Sequence, residues 1–288
     1  MEGLSLEGAF WRKLARVGAR GPSWFSRWAP PIIGVAFAAL APKARRAIIH
    51  NLRRVRGRRG VLRDGLDVAR TFAIYASCLT DALGAGADGK RMPELTVTGQ
   101  AYVDDALSDH RGLLLLTGHT AGWEIVGALL GRRRGLRLLV AENAERDPQA
   151  RLIQDEARQG DGVHVAHVGA EPFAGLGLMR HLRDGGAVAM QIDRVPRGIR
   201  GRRVSLLGEV AQVPEGPLRL AMLTGAPILP VFTARLGHRR YEITAHRPIR
   251  LSRSESDIAL DAAAQQIADA LEGFARAHPT QWFHFRAD

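Results

Sequence analysis

The chain has 288 residues, of which 46% are hydrophobic, so it is long enough for one large α/β domain or two small ones, and wholesale disorder is excluded. Its single cysteine, Cys78, excludes an internal disulfide bond and a cysteine-rich metal site, and we expect it to be a buried, inert thiol. The net charge of +12 belongs entirely to the first 63 residues, which contain 14 Lys/Arg and two acids, whereas the remainder is balanced.

This basic segment, residues 1–63, also carries tryptophans and an apolar stretch from Trp28 to Pro42. The stretch is shorter than the roughly 20 residues that span a bilayer, and Pro30 and Pro31 interrupt it. Tryptophans beside arginines favour a helix in the membrane interface, so we expect a peripheral position on the cytoplasmic face of the inner or plasma membrane, held by anionic lipids. The alternatives are a nucleic-acid-binding arm, which the apolar stretch argues against, and a solvated basic face.

Beyond this segment, predicted strands and helices alternate along the chain. The predicted order is helix 61–83, strand 95–98, helix 101–109, strand 112–117, helix 123–130, strand 136–141, helix 148–159, strand 163–168, helix 172–183, strand 187–192, strand 204–207, helix 217–224, strand 228–234, strand 241–245 and helix 257–277. Such alternation predicts an α/β fold with a mostly parallel central sheet flanked by helices. We therefore expect a basic amphipathic N-terminal extension at residues 1–63 and an α/β domain at residues 64–288.

The sequence G-H-T-A-G-W-E at 118–124 lies at the turn between a buried strand and a helix. Within one continuous helix, His119 and Glu124 would point roughly 140° apart, so they can meet only if His119 precedes the helix. Gly118 and Gly122 favour such a turn. A histidine held by a carboxylate is a good general base for a hydroxyl group. The alternative is a turn histidine beside a glutamate that merely favours the helix dipole.

A second polar cluster follows the predicted strand 187–192. Because sites in parallel sheets lie beyond the carboxyl ends of the strands, Asp193 and His119 are expected at the same edge. Arginines crowd the loop that begins after Asp193: Arg194, Arg197, Arg200, Arg202 and Arg203. Since guanidinium groups suit phosphates, this loop predicts a site for a phosphopantetheine donor or a phospholipid head group, unless it is an ordinary solvated loop.

Two glutamates in the same region have open roles. Glu215 either binds an acceptor or favours the N-terminus of the next helix, and Glu209, on a turn, is similarly open. No dense set of metal ligands is present, because His164 and His167 point to opposite faces of their strand, so we expect no metal. The absence of a G-x-S-x-G motif disfavours covalent catalysis.

The residues at 119–124 resemble the H-x-x-x-x-D/E motif of the bacterial lipid A biosynthesis (lauroyl/myristoyl) acyltransferase family. That family includes phosphatidylinositol-mannoside acyltransferases and is distantly related to glycerolipid acyltransferases. Further blocks in the same order are similar to the family: A-R-R-A-I-I-H-N-L at 44–52, Q-I-D at 191–193, the segment 214–232, and P-T-Q-W-F-H-F at 279–285. Leucines at 206–207 stand where the family has two phenylalanines, and Met190 replaces an acid, so the acceptor or donor is expected to be unusual.

The resemblance implies a glycerolipid-acyltransferase-like fold and acyl transfer from acyl-CoA or acyl-carrier protein to a hydroxyl of a glycolipid or phospholipid. His119 would be the general base, Glu124 would orient it, and backbone N–H groups near Gly122 would bind the oxyanion. Substrate-binding roles are expected for Asp193, Arg194, Arg197, Arg200, Arg202, Glu209 and Glu215. Beyond the acyl thioester as co-substrate, no cofactor is implied. A non-catalytic lipid-binding or nucleic-acid-binding protein on the same scaffold and an acyl-thioester hydrolase are the alternative functions.

Overall fold

The computed structural model describes residues 21–88, 93–124, 135–143, 164–168, 174–196 and 198–285. The described helices are α1 (Ser23–Leu40), α2 (Pro42–Arg56), α3 (Val61–Asp88), α4 (Gln100–Ser108), α5 (Ala174–Arg183), α6 (Gly216–Thr224) and α7 (Asp257–Ala277). The described strands are β1 (Glu94–Thr98), β2 (Leu113–Thr117), β3 (Leu138–Asn143), β4 (His164–Val168), β5 (Ala187–Gln191), β6 (Gly201–Leu206), β7 (Glu209–Pro214), β8 (Ile228–Gly237) and β9 (Arg240–Ala245). The predicted helix 148–159 and most of the predicted helix 123–130 lie outside the described residues.

One seven-stranded sheet has the order β1-β9-β8-β2-β5-β3-β4. Neighbouring strands in it are parallel except β8 and β9, which are antiparallel. Strands β6 and β7 form a separate antiparallel hairpin. The prediction of a mostly parallel central sheet flanked by helices is therefore confirmed.

Strand β2 lies at the centre of the sheet and is buried along its whole length. Leu114 and Leu116 pack in one cluster with side chains of α5, α6 and α7. Leu113 and Leu115 pack on the opposite face with side chains of α3 and α4. An apolar run without polar alternation is what a parallel strand covered on both faces requires. Burial of each leucine contributes about 1.5–3 kcal/mol, which anchors the strand end that carries the candidate site.

Helices α1, α2 and α3 enclose a third apolar cluster around Phe37, Ile48 and Phe72. Helix α1 continues through Pro30 and Pro31, which therefore do not interrupt it. Its close approach to α3 depends on Gly34, where an added Cβ would lie 2.4 Å from the carbonyl oxygen of Phe72. None of the helices in the described ranges combines the length and hydropathy needed to cross a bilayer.

Two local predictions were wrong. Helix α3 continues to Asp88, whereas a loop was expected from residue 84. The same helix begins at Val61, so the expected boundary between the N-terminal extension and the α/β domain, at residue 63, falls in its first turn. That boundary stays a prediction. Strand β7 was not predicted at all. It forms because Leu207 and Gly208, both with positive φ, make the tight turn that pairs Leu206 with Glu209.

Candidate active site

His119 lies in the turn that follows β2, beside a segment from much later in the chain. Its carbonyl accepts a hydrogen bond from the N–H of Phe283 at 2.7 Å, and the N–H of Ala121 donates to the carbonyl of Gln281 at 3.0 Å. Thr120 and Trp282 thus form an antiparallel bridge. Residues 281–283 therefore fix the backbone on which the histidine is carried.

Asp193 contacts His119 twice. Nδ1 of His119 lies 2.7 Å from Oδ1 of Asp193, and the backbone N–H of His119 donates to Oδ2 at 3.1 Å. The two residues meet because β2 and β5 are parallel neighbours, with Thr117 opposite Gln191, so their carboxyl ends reach the same edge. The side chain of Asp193 is fully buried, whereas that of His119 is 24% exposed. The imidazole is therefore anchored on its inner side and accessible on its outer side.

The carboxylate of Asp193 has further partners from the C-terminal segment. The indole N–H of Trp282 donates to Oδ2 at 3.0 Å. Nδ1 of His284 lies 4.0 Å from the same oxygen. Burial alone would raise the pKa of Asp193. The charge of His119 and its hydrogen bond to the carboxylate outweigh this effect, together with the charges of Arg194 and His284. The pKa of Asp193 is therefore held well below its usual range. Asp193 is therefore ionised throughout the physiological range.

Gly122 shapes the turn between His119 and the following helix. Its φ of +78° lies in the left-handed region, and an added Cβ would lie 2.4 Å from Cε1 of the Tyr241 ring. Only glycine satisfies both conditions without strain. Among the described residues, no acceptor takes a hydrogen bond from the N–H of Gly122.

Glu124 lies at the start of the following helix and is half-buried. Burial raises the pKa of the Cys78 thiol to about 12, and the negative charge of Glu124 adds a smaller increase. The carboxylate on Nδ1 of His119 is that of Asp193. The predicted orienting role of Glu124 stays a prediction, and the sequence reasoning had assigned Asp193 to substrate binding.

The predicted arginine loop is largely engaged with protein groups. Arg194 Nη2 donates to the carbonyl of Phe283 at 3.1 Å. Arg202 is buried on β6 and forms ion pairs with Asp257 and Asp261 at 2.5 and 2.6 Å. Arg200, whose side chain is 86% exposed, lies 3.8 Å from Glu215. Arg203 lies on β6 and is exposed, and Arg197 lies outside the described residues.

The two glutamates with open roles are also ion-paired. Glu215 precedes α6 and accepts from Nε of Arg219 at 2.6 Å, a hydrogen bond that lowers the pKa of the carboxyl. Glu209 lies 2.9 Å from Nε of Arg54, on α2. Both contacts are structural, joining a strand end to a helix, and the predicted substrate-binding roles stay predictions.

Sequence reasoning missed two residues at this site. Trp282 was recognised only as part of a similar C-terminal block, although a buried tryptophan needs an acceptor for its N–H, which was a usable signal. Arg54 was counted only as part of a basic run. Within the described part of the chain, no three His, Cys, Asp or Glu side chains come together as a potential metal site.

The family model of the bacterial lipid A biosynthesis acyltransferases matches residues 33–287. Phosphatidylinositol mannoside acyltransferases from two strains of Mycobacterium tuberculosis, CDC 1551 / Oshkosh and H37Rv, are 29% and 30% identical over 197 residues, or 67% of this chain. One from Mycolicibacterium smegmatis is 29% identical over 168 residues, covering 57% of this chain and 54% of that protein.

The chain spans only about 59% of the length of the two Mycobacterium tuberculosis relatives. Among solved structures, the 1-acyl-sn-glycerophosphate acyltransferase of Thermotoga maritima aligns with a TM-score of 0.42 and 13% identity. That alignment covers 86% of this chain and 96% of the other.

Proposed function

The chain belongs to the bacterial lipid A biosynthesis acyltransferase family, and on that premise we propose that it transfers a fatty acyl group from an acyl thioester to a hydroxyl group of a lipid. The observation that carries the proposal is the contact of His119 Nδ1 with the buried carboxylate of Asp193 at 2.7 Å. Names of the relatives, which are acyltransferases for a mannosylated phospholipid, support a glycolipid or phospholipid acceptor.

His119 would act as the general base through Nε2. A proton on Nδ1 is retained by Asp193, so the lone pair lies on Nε2 and can accept the proton of an acceptor hydroxyl. The hydroxyl oxygen then attacks the thioester carbonyl, and the C–S bond breaks when the tetrahedral intermediate collapses. The thiolate leaves and takes the proton back from Nε2, so no acyl-enzyme is required.

Asp193 would stabilise the imidazolium that forms during this step. It can do so because its carboxylate is ionised and is held by the backbone N–H of His119 and the indole N–H of Trp282. This arrangement favours Asp193 over Glu124 as the orienting carboxylate. The N–H of Gly122, which has no acceptor among the described residues, is our proposed donor to the oxyanion.

We further propose that the protein binds the cytoplasmic face of the membrane through α1. Large apolar side chains on α1 are exposed at helical spacing, namely Trp24, Trp28, Ile32 and Val35. The opposite face of α1 is buried against α3, so this stripe faces away from the protein. An exposed apolar stripe with tryptophans, next to the basic helix α2, suits a helix lying in the interface of an anionic membrane.

The decisive experiment compares the wild-type protein with His119→Ala. We expect the wild type to convert an acyl-CoA and a phosphatidylinositol mannoside into an acylated lipid, measured by mass spectrometry, with acyl-carrier protein as a second donor arm. His119→Ala should lower kcat by at least about 10³-fold because the base is lost. Free fatty acid as the sole product would indicate a hydrolase, and unchanged turnover in the variant would refute the base.

A further inference from the structure

A basic groove of about 650 Å³ lies on α2, next to the start of β7. Its basic lining comes from α2 and the segment just after it: Arg46, His50, Arg53, Arg54 and Arg58. The first four recur at helical spacing and share one face of α2, and Arg58 follows Gly57, whose φ of +75° ends the helix. The opposite face buries Ile48, Leu52 and Val55. The helix is therefore fixed by its apolar side, and its cationic side forms the floor of the groove.

Carboxylates of the protein form ion pairs with only some of the arginines in this groove. Arg53 pairs with Asp64 at 2.7 Å, and Arg54 pairs with Glu209 at 2.9 Å. Over the described ranges, no carboxylate lies within 4.0 Å of Arg46 or Arg58. Like charges close together on one helix destabilise it unless an anion neutralises them. Among the described residues, Arg46 and Arg58 therefore have no carboxylate partner, and they are exposed in a groove that also contains the two paired arginines.

The groove is connected to the candidate active site through α2. Arg54 lines both the groove and a second, small cavity that is also lined by Asp193, Trp282 and His284. Nδ2 of Asn51, three residues earlier, donates to the carbonyl of His284 at 2.8 Å. The helix that carries the arginines is therefore attached to the segment that holds the Asp193 carboxylate, and a ligand bound in the groove would keep a defined position relative to His119.

We propose that this groove binds the phosphate group of a substrate, with Arg46 and Arg58 as the principal ligands. Planar guanidinium groups match the oxygen geometry of phosphate and stay charged at any physiological pH. This proposal rests on the proposed function, in which a phosphopantetheine-containing donor and a phospholipid acceptor both carry phosphate. It places the phosphate site on α2 and the segment just after it. Arg194, in the loop after β5, and Arg202, on β6, are bound to protein groups instead.

The test uses the double variant Arg46→Gln/Arg58→Gln in the full chain. A matched control, Arg247→Gln/Arg253→Gln, removes the same charge from exposed positions outside the groove. Binding is measured with coenzyme A, with pantetheine, which lacks phosphate, and with phosphatidylglycerol vesicles. Each probe is tested in a His119→Ala background, so that no turnover is needed and failure of the proposed function leaves the binding result readable.

If the donor supplies the phosphate, the groove variant should raise the Kd for coenzyme A about tenfold relative to the control, with pantetheine binding unchanged. If a lipid head group supplies it, vesicle binding should weaken by a similar factor beyond the control while coenzyme A binding stays the same. Either result supports the site. The proposal is overturned if the groove variant and the control variant bind all three probes equally.

Discussion

Trp282 donates its indole N–H to Oδ2 of Asp193 at 3.0 Å, on the carboxylate whose Oδ1 lies 2.7 Å from His119 Nδ1. One carboxylate thus receives hydrogen bonds from an indole and an imidazole, and it cannot rotate without losing both. Trp282 therefore helps to orient the imidazole of His119 through the carboxylate of Asp193.

Replacement of Asp193 should test which carboxylate orients the base. Asp193→Asn preserves the shape of the side chain but removes its charge and permits the wrong tautomer of His119. We expect kcat to fall by about 10³- to 10⁴-fold in an acyl-transfer assay. Glu124→Gln is the matched variant, and it should cost clearly less. The reverse order of the two losses would assign the orienting role to Glu124.

Trp282→Phe should remove one hydrogen bond from Asp193 while keeping an aromatic ring. Hydrogen bonds to charged groups contribute about 1.5–3 kcal/mol, so we expect kcat to fall about tenfold or more with little change in KM. The control is Phe283→Leu, which perturbs packing in the same segment but leaves the Asp193 contact. If both variants lose stability and activity in parallel, Trp282 has only a packing role.

The buried Asp193 predicts a specific dependence of stability on pH. The pKa of Asp193 is lower in the folded protein than in the unfolded chain, where it is about 4. The ionised carboxylate therefore stabilises the fold fully above about pH 4, and this stabilisation is lost as the pH falls toward the pKa of the folded state. The difference in unfolding free energy between the wild type and Asp193→Asn should therefore be constant from neutral pH down to about pH 5 and should narrow as the pH falls further. Urea titrations at several pH values measure it, and a constant difference would contradict the depressed pKa.

Gly122→Ala should destabilise the protein strongly. The added Cβ would occupy a left-handed backbone position and also overlap the ring of Tyr241. We expect a loss of about 2–4 kcal/mol in unfolding free energy. Gly208→Ala is the control, because its φ is also positive, at +79°, but nothing lies within 4 Å of the added atom. Equal losses in the two variants would mean that Tyr241 moves aside at no cost.

Cys78 should resist alkylation in the folded protein. Burial raises the pKa of its thiol to about 12, so almost no thiolate exists near neutral pH. We expect no labelling by iodoacetamide at about pH 8 in native buffer and complete labelling in denaturant, measured by mass spectrometry. Rapid native labelling would show that the packing of α3 on the sheet opens readily.

Much of the fold was predictable because the chain encodes it locally. The unbroken apolar run at Leu113–Leu116 specified a doubly covered strand, and the capped amphipathic pattern of α7 gave both of its ends correctly. The hairpin strand β7 was missed since its apolar face consists only of Ala211 and Val213, whereas Val210 on the other face is exposed, so the alternation in the sequence is weak.

The candidate site was predictable only where chain order and sheet topology determine it. His119 and Asp193 were expected at one edge because both follow parallel strands. The carboxylate that contacts the imidazole of His119 was not predictable from the sequence. Glu124 is five residues away along the chain and Asp193 is 74 residues away, so local spacing favoured Glu124. The engagement of Arg202 by Asp257 and Asp261 depends likewise on how a distant helix packs on β6.

The bridge between Thr120 and Trp282 has a consequence for biosynthesis. A ribosome that has translated only as far as α7 has already made His119 and Asp193. It has not yet made Trp282, which pairs with Thr120 and donates a hydrogen bond to Asp193. The proposed catalytic pair therefore lacks these contacts until the segment after α7 has emerged. We therefore expect the proposed acyl transfer to require synthesis of the segment after α7, so that a product truncated before this segment would be inactive.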